Sequence, residues 1–155
     1  MIIYECHVRG LTKINFNIPE EKRGTFLGVS DPWMINHLKS LSVDAVQLMP
    51  VFDSVGTYWG YDPCSWMELN AEYGTLSDFK RMLDELHYAG IKVILDVVYN
   101  HTHGKLPDVY YYDWDVTGCG NTVDVPRSLK AIQRSIDFWL DDIIVTGKQI
   151  GRAHV

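Results

Sequence analysis

A chain of 155 residues, 46% of them hydrophobic, is long enough for one ordinary core but short of the roughly 250 residues of a closed α/β barrel. Fourteen Lys and Arg against twenty Asp and Glu leave a net charge of −6 with no basic cluster along the sequence, which argues against nucleic acid and anionic membrane as partners. Cys6, Cys64 and Cys119 are odd in number, far apart and without CxxC or Cys/His spacing, so neither a disulfide framework nor a zinc site is expected.

Residues 2–8 (IIYECHV) are β-branched and aromatic and predict a strand with its polar end at His7 and Arg9. Residues 10–28, with Pro19 and the run EEKR, predict a surface loop. Ser30 or Asp31 before Pro32 marks a helix start, and Trp33, Ile35, Leu38 and Leu41 then recur at helical spacing. Residues 45–49 (AVQLM) predict a short strand ended by Pro50. Residues 51–72 hold no apolar period and carry Gly56, Gly60 and Pro63 among aromatics, so they form a long loop of the kind that tends to be functional.

Ser77, with Asp78 in the first turn, opens a helix whose buried stripe is Phe79, Met82, Leu83 and Leu86, closed by Gly90. Residues 91–98 then predict a strand buried on both faces, as in a helix-covered parallel sheet. Its far end turns polar at Asp96, Tyr99, Asn100, His101 and Thr102, which reads as the edge of a site. Residues 103–125 are loop. Residues 126–141 predict a helix with Leu129, Ile132, Ile136, Phe138 and Leu140 on its apolar side, and residues 143–145 begin another strand.

Long loops after strands and short ones after helices are what a barrel with its site on the strand-end face produces. A doubly wound sheet also alternates this way, but the glycine phosphate fingerprint that often opens it is absent. The expected fold is α/β and barrel-like, with at most four strands of a possible eight. Nine Tyr and five Trp, many in polar loops, offer flat rings suited to sugars or bases, and the acidic chain favours sugars.

Four stretches in register carry a specific resemblance: YECHVRGLT at residues 4–12, TYWGYDP at 57–63, DVVYNHT at 96–102 and TGCGNT at 117–122. Together they resemble the debranching branch (pullulanase, isoamylase and glycogen debranching types) of the α-amylase superfamily, glycoside hydrolase family 13. The resemblance implies that the chain is the amino-terminal half of a (β/α)8 barrel, about three to four βα units, and it implies retaining hydrolysis of α-1,6-glucosidic branch points in glycogen- or starch-type α-glucans, with two carboxylates roughly 5 Å apart as nucleophile and acid. It implies that Tyr61 stacks on the sugar at the cleavage subsite and that His101 hydrogen-bonds hydroxyls of the same sugar, with Trp59 a further residue for holding glucan. Asp96 is then a support residue that orients an arginine on the next strand. Asn100 falls where many amylases bind calcium, a site that debranching types often lack; no cofactor is required. An α-glucan is the implied partner, with no nucleic acid and no membrane. The alternatives left open are a non-catalytic glucan- or partner-binding module and an α-1,4-acting amylase or branching relative.

After FWLDD, at residues 138–142, the debranching pattern would continue into the nucleophile strand, but the chain reads IIVTGKQIGRAHV. Gln149 falls at the family's arginine and Gly151 at its nucleophile, so the 155 residues are expected to be inactive and to represent a truncated piece. The last six residues, IGRAHV, coincide with one reading frame of a widely used sequencing adapter. Residues 1–149 are accordingly read as partial barrel and 150–155 as an artefactual tail. The cysteine pattern points to a reducing, cytoplasmic compartment, with secretion left open if an earlier start carried a leader.

Overall fold

The computed structural model describes residues 1–56, 59–99, 103, 112–113, 121–122 and 125–140, the last segment with side chains from residue 130 onward. Three parallel strands form its sheet: β1 (Ile3–Cys6), β2 (Ala45–Leu48) and β3 (Lys92–Leu95). They lie in chain order, with Ile3 beside Ala45 and Ala45 beside Lys92, then residue for residue to Cys6, Leu48 and Leu95. Consecutive parallel strands of this kind open a (β/α)8 barrel, and they also open a doubly wound sheet of order 3-2-1-4-5-6.

Alternation along the strands sorts the side chains. Tyr4, Cys6, Val46, Leu48, Val93 and Leu95 join the hydrophobic core under the helices. The alternate positions, among them Glu5, Gln47 and Ile94, therefore belong to the opposite face. β3 is not buried on both faces as expected: Lys92 and Val97 are exposed, and Val93, Ile94 and Leu95 are half-buried. Among the described residues it is an outer strand, covered on one side only.

The segment after β1 is not a surface loop. It folds into helix α1 (Val8–Thr12), a 3-10 turn at Glu20–Lys22 and a single helical turn, α2 (Phe26–Val29). Val8, Thr12, Ile18, Phe26 and Val29 are buried in it. The buried Thr12 hydroxyl accepts from the Gly24 N–H at 2.8 Å. A Cβ at Gly28 would sit 2.3 Å from the Lys22 carbonyl oxygen and 2.7 Å from Thr12 Oγ1, so only glycine permits this packing. Polar composition misleads here because a few large apolar residues at irregular spacing supply the core.

Helix α3 (Pro32–Ser40) starts as expected, capped by Asp31, which accepts from the Trp33 N–H at 3.1 Å and pairs with Lys22 Nζ at 3.0 Å. Its apolar phase differs: Met34 and Leu38 are buried, while Trp33 and Leu41 are exposed, and the Trp33 ring stacks on His37. Helix α4 (Leu76–Tyr88) is capped by Thr75 rather than Ser77. The Thr75 hydroxyl accepts from the Asp78 N–H while Asp78 accepts from the Thr75 N–H, a reciprocal box. Phe79, Met82, Leu83 and Leu86 are buried as predicted. Gly90 ends the helix at φ +81°, the left-handed turn that glycine adopts most cheaply.

A two-residue ribbon, β4 (Tyr112–Asp113) with β5 (Asn121–Thr122), precedes helix α5 (Val125–Asp137). A wider turn continues α5 through residues 138–140. Trp139, and not Leu140, reaches the core because it follows buried Ser135 by four positions and so lies on the same helix face: Trp139 is buried and meets the rings of Phe52 and Phe79, while Leu140 is exposed. The predicted strand at 143–145 and the tail at 150–155 lie outside the described residues. No helix among the described residues is long and apolar enough to cross a membrane.

Candidate functional site

Three chain segments meet where the parallel strands end: His7 after β1, residues 49–56 and 59–70 of the excursion after β2, and residues 96–99 and 103 after β3. The excursion folds back on itself through bridges at Phe52–Leu69 and Ser54–Pro63. Its tip turns at Trp59–Gly60, both in the left-handed region at φ +58° and +86°. Only glycine fits the second position, because a Cβ there would lie 2.4 Å from the Pro50 carbonyl oxygen. This turn leaves Trp59 and Tyr61 at the rim, 57% and 38% exposed.

The two loops are held together at three points. Tyr61 Oη donates to Asp96 Oδ2 at 2.7 Å. Asp62 pairs with His103 Nδ1 at 2.8 Å, beside a backbone bond from the His103 N–H to the Pro63 carbonyl. Buried Trp66 donates its indole N–H to the Val98 carbonyl at 2.8 Å. Behind this seam, the Trp66 carbonyl accepts from Ser135 Oγ at 2.8 Å and Trp139 Nε1 at 2.7 Å, and Ser135 also bonds Tyr99 Oη. Helix α5 thus braces the loops from below.

The bond to Asp96 pushes the Tyr61 phenol up to about 12, with burial and the nearby charges of Asp96 and Glu5 adding to it. A raised value means that the protonated phenol is the form the fold holds. Its contribution is complete below the ordinary tyrosine value of about 10 and is lost as pH rises through about 12. We expect the difference in tyrosinate absorbance between the wild-type chain and Tyr61→Phe to titrate near pH 12, and Asp96→Asn to return it toward pH 10. Titration of Tyr61 at its ordinary value in the wild type would exclude the bond.

His7, read from the sequence only as a polar strand end, is a third member of the wall. Its Nδ1 accepts from the Gly10 N–H at 3.1 Å and caps α1. The neutral ring therefore carries its proton on Nε2, which donates to Tyr73 Oη at 2.9 Å. Trp59 and Tyr73 meet its ring edge to face. Burial, then Arg9, lowers the His7 value, favouring the neutral ring that this arrangement requires. Nothing in the local sequence singles out Tyr73 as its partner, 66 residues away.

Tyr61 and Asp96 are in direct contact, which the motifs did not predict, and Trp59 packs against the His7 ring. His101 and Asn100 lie outside the described residues. Among the described residues no group of three or more His, Cys, Asp or Glu could hold a metal ion. Cys6 and Cys64 are free. Burial pushes the Cys6 thiol up to about 12 and raises that of Cys64 as well, so neither presents a ready thiolate. Chemically, the face offers fixed aromatic surface and hydrogen-bonding groups, the equipment for holding a polar ring.

The family model for the alpha amylase catalytic domain matches residues 13–112. The glycogen debranching enzyme of Klebsiella pneumoniae subsp. pneumoniae is 33% identical over 191 aligned positions, covering 99% of this chain and 29% of that protein. The glycogen operon protein GlgX homolog of Mycobacterium tuberculosis is 35% identical, with 94% and 26% covered. Among solved structures, the pullulanase of Paenibacillus barengoltzii, in complex with maltohexaose and alpha-cyclodextrin, superposes with a TM-score of 0.77 at 29% identity, over 92% of this chain and 29% of that one. Pullulanase type I of Bacillus subtilis, complexed with maltose, gives 0.78 at 25% identity over 92% and 26%. The chain thus spans under a third of the length of each of these proteins.

Proposed function

The chain belongs to the alpha-amylase catalytic-domain family of glycoside hydrolases, on its debranching branch, and from that premise we propose that it forms the glucan-holding wall of an α-1,6-debranching hydrolase. The observation that carries this reading is the seam that joins residues 59–66 to residues 96–99 and 103, above all the 2.7 Å bond from Tyr61 to Asp96. A phenol anchored at its oxygen keeps its ring orientation without further entropy loss on binding, so the ring can stack on a glucose face. Trp59 extends that platform. His101 hydrogen-bonds sugar hydroxyls, contacts that strengthen as the ring flattens toward the oxocarbenium-like transition state. Asp96 holds Tyr61 and also orients an arginine from the next strand. Cleavage follows the retaining course, with nucleophile and acid on strands outside these 155 residues.

The test is maltohexaose binding to the 155-residue chain, read by tryptophan fluorescence. We expect saturable binding that weakens at least about tenfold in Tyr61→Ala, as loss of one stacked ring implies, and no reducing sugar from pullulan. Absence of saturable binding by the wild type would refute the glucan reading. Reducing-sugar release would overturn the placement of the catalytic pair elsewhere. For the full-length gene product, release of linear chains from pullulan in preference to cleavage of amylose supports α-1,6 specificity, and the reverse preference refutes it.

A further inference from the structure

We propose that Arg9, Lys13 and Arg23, gathered around Gly24, form a binding site for a phosphate-type dianion. The three cations line an open cavity of about 300 Å³ together with Gly24, Thr25 and Glu72. Three positive groups against one carboxylate leave the cavity cationic in a chain whose net charge is −6. Such a concentration of one sign in a concave surface attracts the opposite charge.

The cations are pre-arranged. Arg23 donates its Nε–H to the Ile18 carbonyl at 2.7 Å and lays its guanidinium 5.0 Å from the centre of the Phe16 ring. Those contacts fix its plane while leaving the terminal nitrogens for a ligand. Gly24 takes a left-handed φ of +79°, and a Cβ there would lie 3.2 Å from Lys13 Cδ and 3.3 Å from Arg9 Cγ. Its missing side chain is what lets both stems close over the cavity floor. The Gly24 N–H is already donated to Thr12 Oγ1, so recognition falls to the cations. Among the described residues Lys13 has no ion-pair partner.

Arg9 is paired with Glu72 at 3.0 Å, but both side chains are more than half exposed, and such a pair holds weakly in water. A dianion competes for Arg9 on better terms than a single carboxylate, and guanidinium forks match phosphate oxygens in pairs. The cavity volume also admits a sugar ring attached to the phosphate. This site does not depend on the glucan reading.

Calorimetric titration of the 155-residue chain with inorganic phosphate, glucose 6-phosphate and, as the neutral control, glucose tests the assignment. We expect phosphate binding that weakens at least about tenfold in Lys13→Gln and in Arg23→Gln, tightens several-fold in Glu72→Gln, and falls with added salt. Tighter binding of glucose 6-phosphate than of phosphate identifies a phosphorylated sugar as the ligand; equal binding identifies the phosphate group alone. Circular dichroism checks that the variants keep their fold, and Lys13 is exposed, so its replacement leaves the core untouched. No phosphate binding by the wild type, or binding unchanged in folded Lys13→Gln and Arg23→Gln, overturns the proposal.

Discussion

Trp66→Ala is expected to cost about 4 kcal/mol of folding stability, in the range for truncating a buried tryptophan. The side chain is 2% exposed, so its removal leaves a cavity that the surrounding rings cannot fully close. It also strips the Val98 carbonyl of its indole donor, and an unsatisfied buried acceptor costs about 1–3 kcal/mol by itself. Trp66→Phe keeps much of the volume and loses only the N–H, so a smaller loss of about 1–2 kcal/mol is expected from that variant. The urea midpoint at constant m-value reads both. A shift below about 1 kcal/mol for Trp66→Ala would mean that the loop after β2 is not docked as described.

Gly60→Ala combines two independent costs. At φ +86° a side chain costs about 1–2 kcal/mol, and a Cβ 2.4 Å from the Pro50 carbonyl oxygen meets backbone that cannot step aside. Together they predict a loss of about 3 kcal/mol, with the turn forced open. Gly90→Ala supplies the control, because its φ is +81° but nothing lies within 4 Å of the added carbon. That variant should lose only the conformational part, about 1–2 kcal/mol. Opening the turn at Gly60 also separates Tyr61 from Asp96. The high-pH Tyr61 titration should therefore disappear in Gly60→Ala and persist in Gly90→Ala. Equal effects of the two substitutions would show that the Pro50 contact is not limiting.

Much of the frame was legible in local sequence. The stripe Phe79, Met82, Leu83 and Leu86 and the closing Gly90 define α4, and the aliphatic runs at 45–48 and 92–95 define two of the parallel strands. Each of those signals is complete within one element. The failures share the opposite character. Trp33 and Leu41 fit a helical period but face solvent, because the position of α2 and the sheet decides which stripe of α3 is covered. Residues 10–28 look polar, yet Ile18 and Phe26 are buried through contacts that close only once Gly28 meets the Lys22 carbonyl. Leu140 yields to Trp139 because the buried face of α5 runs through Ser135 and the residue four positions on.

The sequence by itself determined the alternation of strands and helices and the placement of site motifs just beyond strand ends, since both depend on residues a few positions apart. Only the tertiary structure decided which of those residues touch. Tyr61 reaches Asp96 across 35 positions, His7 reaches Tyr73 across 66, and Ser135 reaches the Trp66 carbonyl across 69. It likewise gathered Arg9, Lys13 and Arg23 into one cavity, in a chain with no basic cluster along its length. Hydrophobic periodicity specifies what an element buries but carries no address for a hydrogen-bond partner or a distant charge. Those addresses come from the parallel register of the sheet, which sets the strand ends level and brings their loops within reach of one another.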